Sequence, residues 1–164
     1  MHGKIVRGLA LVARGKEQLQ KLKSEIATIA PTAAVEPIQA DLGSMTDIER
    51  LAAITLEACG GRLDILVNNA STLGPVPMPY LLDYPVDDFQ EVLNVNLVAP
   101  LLLIQNLLAA MIDHGGSIIN VTSDAGRVGY PGWGAYGISK FGLEGLSQTW
   151  AAELAETPCA SQLG

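Results

Sequence analysis

Short apolar runs alternate along this chain with segments whose apolar residues recur at helical spacing. That alternation restricts the possible fold more than any other feature of the sequence. Residues 8–14 (GLALVAR) form a run short enough for a buried strand. Residues 16–29 follow with Leu19, Leu22, Ile26 and Ile29 on one helical stripe, and Pro31 ends the pattern. A second strand is predicted over 33–39, a turn over 41–45, and a second helix over 46–59, closed by Gly60-Gly61. Residues 63–67 read as a third strand running into Asn68-Asn69-Ala70, and the stretch 74–85, with four prolines, as a turn-rich connection. Two consecutive helical stretches, 86–96 and 97–114, precede a fourth strand over 117–122, and a long amphipathic helix spans 136–156. Strands and helices alternating at these lengths predict an α/β chain, with a parallel sheet layered between helices. Neither a repeat nor a linker interrupts residues 1–164, so a single domain is expected.

Composition narrows the function classes. With 49% apolar and 16% charged residues, the chain can bury a core and does not have a disordered composition. A net charge of −7 and scattered basic residues argue against a nucleic-acid partner; the densest cluster, Lys16–Lys23, reads as the solvated face of a helix. Cys59 and Cys159 are the only cysteines and lack metal-ligand spacing, which points to a reducing, cytoplasmic setting. His2 and His114 stand alone, so no metal is expected. No signal-peptide pattern precedes the first strand, and the most apolar stretch, 97–112, is read as a buried or interface helix too short to span a membrane.

In layered parallel sheets, ligands sit beyond the carboxyl ends of the strands. Arg14, Asp41, residues 68–71 and Ser123 all fall there. Tyr136-Gly-Ile-Ser-Lys140 adds a phenol and an ammonium four residues apart, hence on one helix face. Ser123 lies thirteen residues earlier within Asn120-Val-Thr-Ser-Asp-Ala-Gly126. Proton transfer at neutral pH needs a group whose pKa lies nearby. A phenol of pKa near 10 becomes an effective partner at neutral pH once lowered by about 3 units, worth roughly 4 kcal/mol. A neighbouring ammonium supplies part of that preference.

In combination, the strand into Asn68-Asn69-Ala70, Asn120-Val-Thr-Ser-Asp-Ala-Gly126 and Tyr136-x-x-Ser-Lys140 resemble the short-chain dehydrogenase/reductase family over residues 8–156. The resemblance implies a Rossmann-like doubly wound sheet and reversible NADP(H)-linked reduction of a ketone or aldehyde. Tyr136 would be the acid/base. Lys140 would lower its pKa and hold the nicotinamide ribose, and Ser123 would stabilise the substrate oxygen. Asn96, in Asn96-Leu-Val-Ala99, would anchor a water linking the lysine to solvent, with Asn94 as the alternative. Ser123 could instead be a cap, with Thr122 or Ser117 functional. On the cofactor side the resemblance implies Asp41 and Leu42 at the adenine, and Asn68 and Ala70 along the cofactor, with Ser71 replacing the family glycine. Arg14 would pair with a 2′-phosphate, favouring NADP over NAD.

Two family features are not found in the sequence: the first strand with its glycine-rich pyrophosphate loop, and the strands after the catalytic helix. An incomplete sheet, truncated at both ends, is therefore expected. A second reading follows, of an inactive fragment or interaction module without a complete cofactor site. Family dimers and tetramers pair the helices corresponding to 97–114 and 136–156. Gly137, Gly142 and Gly145 would permit close approach there, so a homo-oligomer acting on a small carbonyl or alcohol substrate is expected.

Overall fold

The computed structural model describes residues 7–163, so His2 and Gly3 lie outside the described residues. The chain divides into two compact units, 1–62 and 63–164.

In the first unit, β1 (Gly8–Ala13) pairs in parallel with β2 (Ala34–Gln39), from Gly8↔Ala34 to Ala13↔Gln39. The helices α1 (Lys16–Ile29) and α2 (Met45–Ala58) pack on this ribbon. Ser44 caps α2 by accepting the Asp47 N–H, which satisfies one of the donors every helix start leaves free. Pro37 has no N–H to offer a ladder, which suits β2 to a sheet edge. Leu19, Ile38, Ile48 and Leu51 are buried, but Leu22 and Ile29 of the predicted α1 stripe remain exposed. A two-stranded ribbon is only about one helix diameter wide, roughly 10 Å, so it covers only the part of the stripe directly over its two strands.

In the second unit, β3 (Ile65–Asn68), β4 (Ser117–Asn120) and β5 (Ala160–Leu163) form a three-stranded parallel sheet with β4 in the middle. The α/β parallel architecture is as predicted, but the last strand is a correction. No strand was expected after the final helix, yet Ser117↔Ala160 through Asn120↔Leu163 are in parallel register. Four residues are too few to carry a periodic pattern, and the neighbouring strand supplies the pairing. Between β3 and β4 lie α3 (Val86–Leu93) and α4 (Ala99–Leu107); α5 (Gly134–Glu153) follows β4. Ile104, Met111, Ile118, Leu154 and Cys159 form a buried core, with Leu66 and Trp150 packed against it.

The segment between α3 and α4 also departs from expectation. Two stretches meeting at Asn96 were predicted, but the backbone runs on through a π-helical turn, Asn94–Val98. Pro100 accounts for the turn. It has no N–H for the Asn96 carbonyl and its ring crowds that carbonyl, so the chain widens and Ala99 N–H reaches back to Asn94. The resulting helical run, Val86–Ala110, is long and apolar enough to cross a membrane by length and composition, contrary to the shorter stretch read from sequence. Val92, Ala99, Leu103, Ile104 and Leu107 on this run are buried in the unit's interior.

Candidate active site

The site in the second unit is built on the first turns of α5. Tyr136, Lys140 and Glu144 follow one another at i, i+4 along one face. Lys140 is 3% exposed; its Nζ donates to the Val121 carbonyl at 2.8 Å and lies 5.6 Å from the centroid of the Tyr136 ring. Val121 directly follows β4, so the end of that strand fixes the ammonium under the phenol. Burial holds the Lys140 pKa below its ordinary value of 10.5.

Ser123 sits in extended backbone at the start of a short 3₁₀ turn, Asp124–Gly126. Its Oγ accepts from the Ala125 N–H at 3.2 Å and donates to Asp124 Oδ1 at 2.9 Å. The capping role is therefore real, and it uses the same oxygen that the resemblance assigns to substrate. Asp124 Oδ2 accepts from Tyr130 Oη at 3.1 Å. Hydrogen bonds from Ser123 and Tyr130 hold the Asp124 carboxyl below the usual range, and the carboxylate in turn pushes the Tyr130 phenol up. Tyr130 meets Trp133 edge-on at 6.2 Å, and Trp133 meets Tyr136 at 5.7 Å. A continuous chain of contacts thus runs from Ser123 through Asp124, Tyr130 and Trp133 to Tyr136. Gly126 lets the turn lie against the helix: a Cβ there would stand 2.9 Å from Thr122 Oγ1 and 3.1 Å from the Lys140 carbonyl.

Of the alternatives to Ser123, Thr122 donates to Glu144 Oε1 at 3.2 Å, and Arg127 Nε meets the same oxygen at 3.3 Å. These residues, with Ser123, Asp124 and Val128, line an open cavity of about 440 Å³. Asn96, 1% exposed on the π-helical turn, uses its carboxamide three times: it accepts from Thr72 N–H, and donates to the Thr72 carbonyl and to Ser139 Oγ. Ser139 in turn donates to the Tyr136 carbonyl at 2.6 Å, so Asn96 reaches the first turn of α5 through Ser139. Asn94 is exposed.

Asn68, at the end of β3, turns its carboxamide inward and donates to Asn120 Oδ1 at 2.8 Å across the β3–β4 pair. Asn120 donates to Ser147 Oγ, which donates to the Leu143 carbonyl, so a buried polar chain ties the sheet to α5. Ala70 and Ser71 are exposed beyond the strand end.

Arg14, Asp41 and Leu42 belong to the first unit. Arg14 and Asp41 line an open cleft of about 560 Å³ with Gln39, Ala40, Asp47 and Arg50; Leu42 is half-buried beside it in sequence. Arg14 is exposed, and its carbonyl accepts from the Gln39 side chain at 3.0 Å. Asp41 Oδ1 accepts from Gly43 N–H in an Asx turn. Asp47 accepts the Asp41 N–H at 2.8 Å, and this bond, then Arg50, holds its carboxyl below the usual range. Asp47 and Arg50 were missed from sequence, although the spacing Ser44-x-x-Asp47 signalled the cap. Glu144 and Ser139 were missed too, although Tyr136, Lys140 and Glu144 share one i, i+4 row.

Residues 6–160 match the family described as short chain dehydrogenase. A 2-dehydro-3-deoxy-D-gluconate 5-dehydrogenase from Formosa agariphila is 31% identical over 151 residues, covering 91% of this chain and 56% of that protein. The crystal structure of a metagenomic short-chain oxidoreductase in complex with NADP is 34% identical with a TM-score of 0.86, covering 94% of this chain and 67% of that one. An NAD+-bound xylitol dehydrogenase is 27% identical with a TM-score of 0.85, covering 95% and 58%. The chain spans about half the length of the curated relatives it matches. On the family match across both units, and on the fold it shares with these structures, this chain belongs to the short-chain dehydrogenases.

Proposed function

We propose that this chain carries the proton-transfer machinery of an NADP(H)-linked oxidoreductase interconverting a small ketone or aldehyde and its alcohol. The observation that carries the reading is the buried Lys140 ammonium, 5.6 Å from the Tyr136 ring and held by the end of β4. The cofactor, when bound, supplies the hydride. Tyr136 gives its phenolic proton to the carbonyl oxygen, and the ammonium beside it stabilises the phenolate left behind. Ser123 turns its hydroxyl from Asp124 to the same oxygen and stabilises the charge developing there. Asn96 positions the turn through Ser139.

The residues present fit the ribose parts of a nicotinamide cofactor. Lys140 spends one donor on Val121 and has further protons for ribose hydroxyls. Arg14 offers an exposed guanidinium at the end of β1, suited to a 2′-phosphate, with Asp41 and Leu42 beside it for the adenine. NADP is preferred over NAD on that ground. Ala70, exposed past β3 beside Asn69 and Ser71, would line the cofactor together with Asn68. The family match across residues 6–160 supports treating the two units as parts of one cofactor-binding domain, and two cysteines in 164 residues support a cytoplasmic setting.

One observation favours the second reading, of an interaction module. Ile65 and Val67 on β3 are 58% and 53% exposed, as a strand covered by a partner would leave them. For a homo-oligomer paired through α5, Gly145 is the glycine with nothing within 4 Å of an added Cβ. Gly142 meets Leu97, and Gly137 meets the Ala125 carbonyl, within the same chain. Titrating the 164-residue protein with NADPH and NADH separates the readings. Saturable micromolar binding, tighter for NADPH and levelled by Arg14→Ala, is expected. No binding at millimolar cofactor would leave the interaction module.

A further inference from the structure

The contact chain that joins the two reacting hydroxyls is also a surface, and its chemistry is selective. Trp133 and Tyr130 are 37% and 41% exposed, and Val128 is 50% exposed. The Tyr130 and Trp133 rings meet edge-to-face in a row that ends on Tyr136. Such a row offers ring edges and faces at steep angles beside the phenol, and an aromatic ring docked against Trp133 gains edge-to-face contacts a small aliphatic ketone does not. At the other end of the row stands Asp124. Its carboxyl is exposed, and hydrogen bonds from Ser123 and Tyr130 favour its ionised form. Arg127 is the nearby exposed cation, but its Nε is tied to the Glu144 carboxylate, so the pair adds no net charge. Lys140 lies buried beneath the Tyr136 ring. A substrate whose carbonyl reaches Ser123 and Tyr136 therefore meets an aromatic wall on one side and an unneutralised carboxylate on the other.

We infer that the site is built for neutral, ring-bearing carbonyl compounds and discriminates against keto acids, with Trp133 as the specificity-determining residue and Asp124 as the group that repels anions. The inference rests on the reductase reading above, and it deepens that reading by naming a substrate class. Asp124 also orients Ser123, so a single carboxylate sets both the direction of the hydroxyl and the charge preference.

The test uses the whole 164-residue chain without cofactor, so that its outcome is independent of cofactor binding. The sequence has two tryptophans, Trp133 and Trp150. Their indole N–H resonances are distinguished by Trp133→Phe and followed during titration with acetophenone, phenylglyoxylate and acetone. The first two probes share the ring and differ in the carboxylate; acetone lacks the ring. Acetophenone is expected to shift the Trp133 resonance saturably and to bind about tenfold tighter than either other probe, a difference the ring stacking and charge can supply. Trp133→Ala should lose about tenfold for acetophenone, whereas Trp133→Phe should keep most of it. Asp124→Asn should bring phenylglyoxylate close to acetophenone. Phenylglyoxylate binding as tightly as acetophenone to the unmodified chain overturns the inference. So does unchanged acetophenone binding by Trp133→Ala, or the absence of saturable acetophenone binding. NADPH failing to bind while acetophenone binds as expected removes the reductase reading and leaves the ring-binding surface. NADPH-linked turnover of keto acids but not of aryl ketones does the reverse.

Discussion

Lys140 occupies an unusual position for an ammonium: almost without solvent, and hydrogen-bonded to one carbonyl. Burial favours the neutral form, so the folded protein binds that proton less tightly than the unfolded chain does. Stability contributed by this group is therefore depressed at neutral pH, and rises as pH climbs from the lowered folded pKa toward 10.5. Lys140→Met removes the effect. Plotted against pH, the melting temperature of the unmodified protein minus that of Lys140→Met should increase toward alkaline pH; a flat difference would contradict the burial argument. Tyr136, Lys140 and Ser123 were legible in the sequence, because the i, i+4 spacing and the strand-end serine are local. Glu144 and the bond between Asp124 and Tyr130 were not, because these partners are chosen by how the loop 124–133 folds back on α5. Asn68 shows a further limit: which way its carboxamide turns is set by Asn120 in the neighbouring strand, which spacing along one segment does not reveal.

At the scale of elements, most boundaries fell within two residues of expectation, since amphipathic spacing and turn residues mark them. The exceptions have physical causes. Pro100 signals a break, but only the full backbone reveals that the helix survives it by widening into a π-helical turn, and that this turn carries Asn96 into contact with Thr72 and Ser139. The long connection after β3 is likewise fixed by packing. Gly74 has φ +83°, and a Cβ there would stand 2.5 Å from Tyr84 Oη and 2.8 Å from Val92. Gly74→Ala is expected to cost about 1–3 kcal/mol in chemical denaturation, since both backbone and space refuse it. Gly145, on the open face of α5, provides the matched control. Gly145→Ala should stabilise the helix by about 0.5–1 kcal/mol. Equal effects at the two positions would mean that the packing around Gly74 is not as described.

At the scale of the whole molecule, the alternation of strands and helices gave the fold class, and a combination of three short motifs gave the family. The pairing of β5 with β4 could not be read this way, because parallel strands are joined only through their neighbours in space. The family identity rests on both units, but the proposed proton transfer draws on the second alone, where Tyr136, Lys140, Ser123 and Asn96 are connected by hydrogen bonds and ring contacts. The proposed function stands on proton transfer by Tyr136. The most direct test compares NADPH oxidation by the unmodified chain and by Tyr136→Phe over a panel of ketones and aldehydes. Tyr136→Phe keeps the ring against Trp133 and removes only the hydroxyl, so a loss of at least about 100-fold in kcat with little change in melting temperature is expected. Turnover by Tyr136→Phe within a few-fold of the unmodified chain would contradict it.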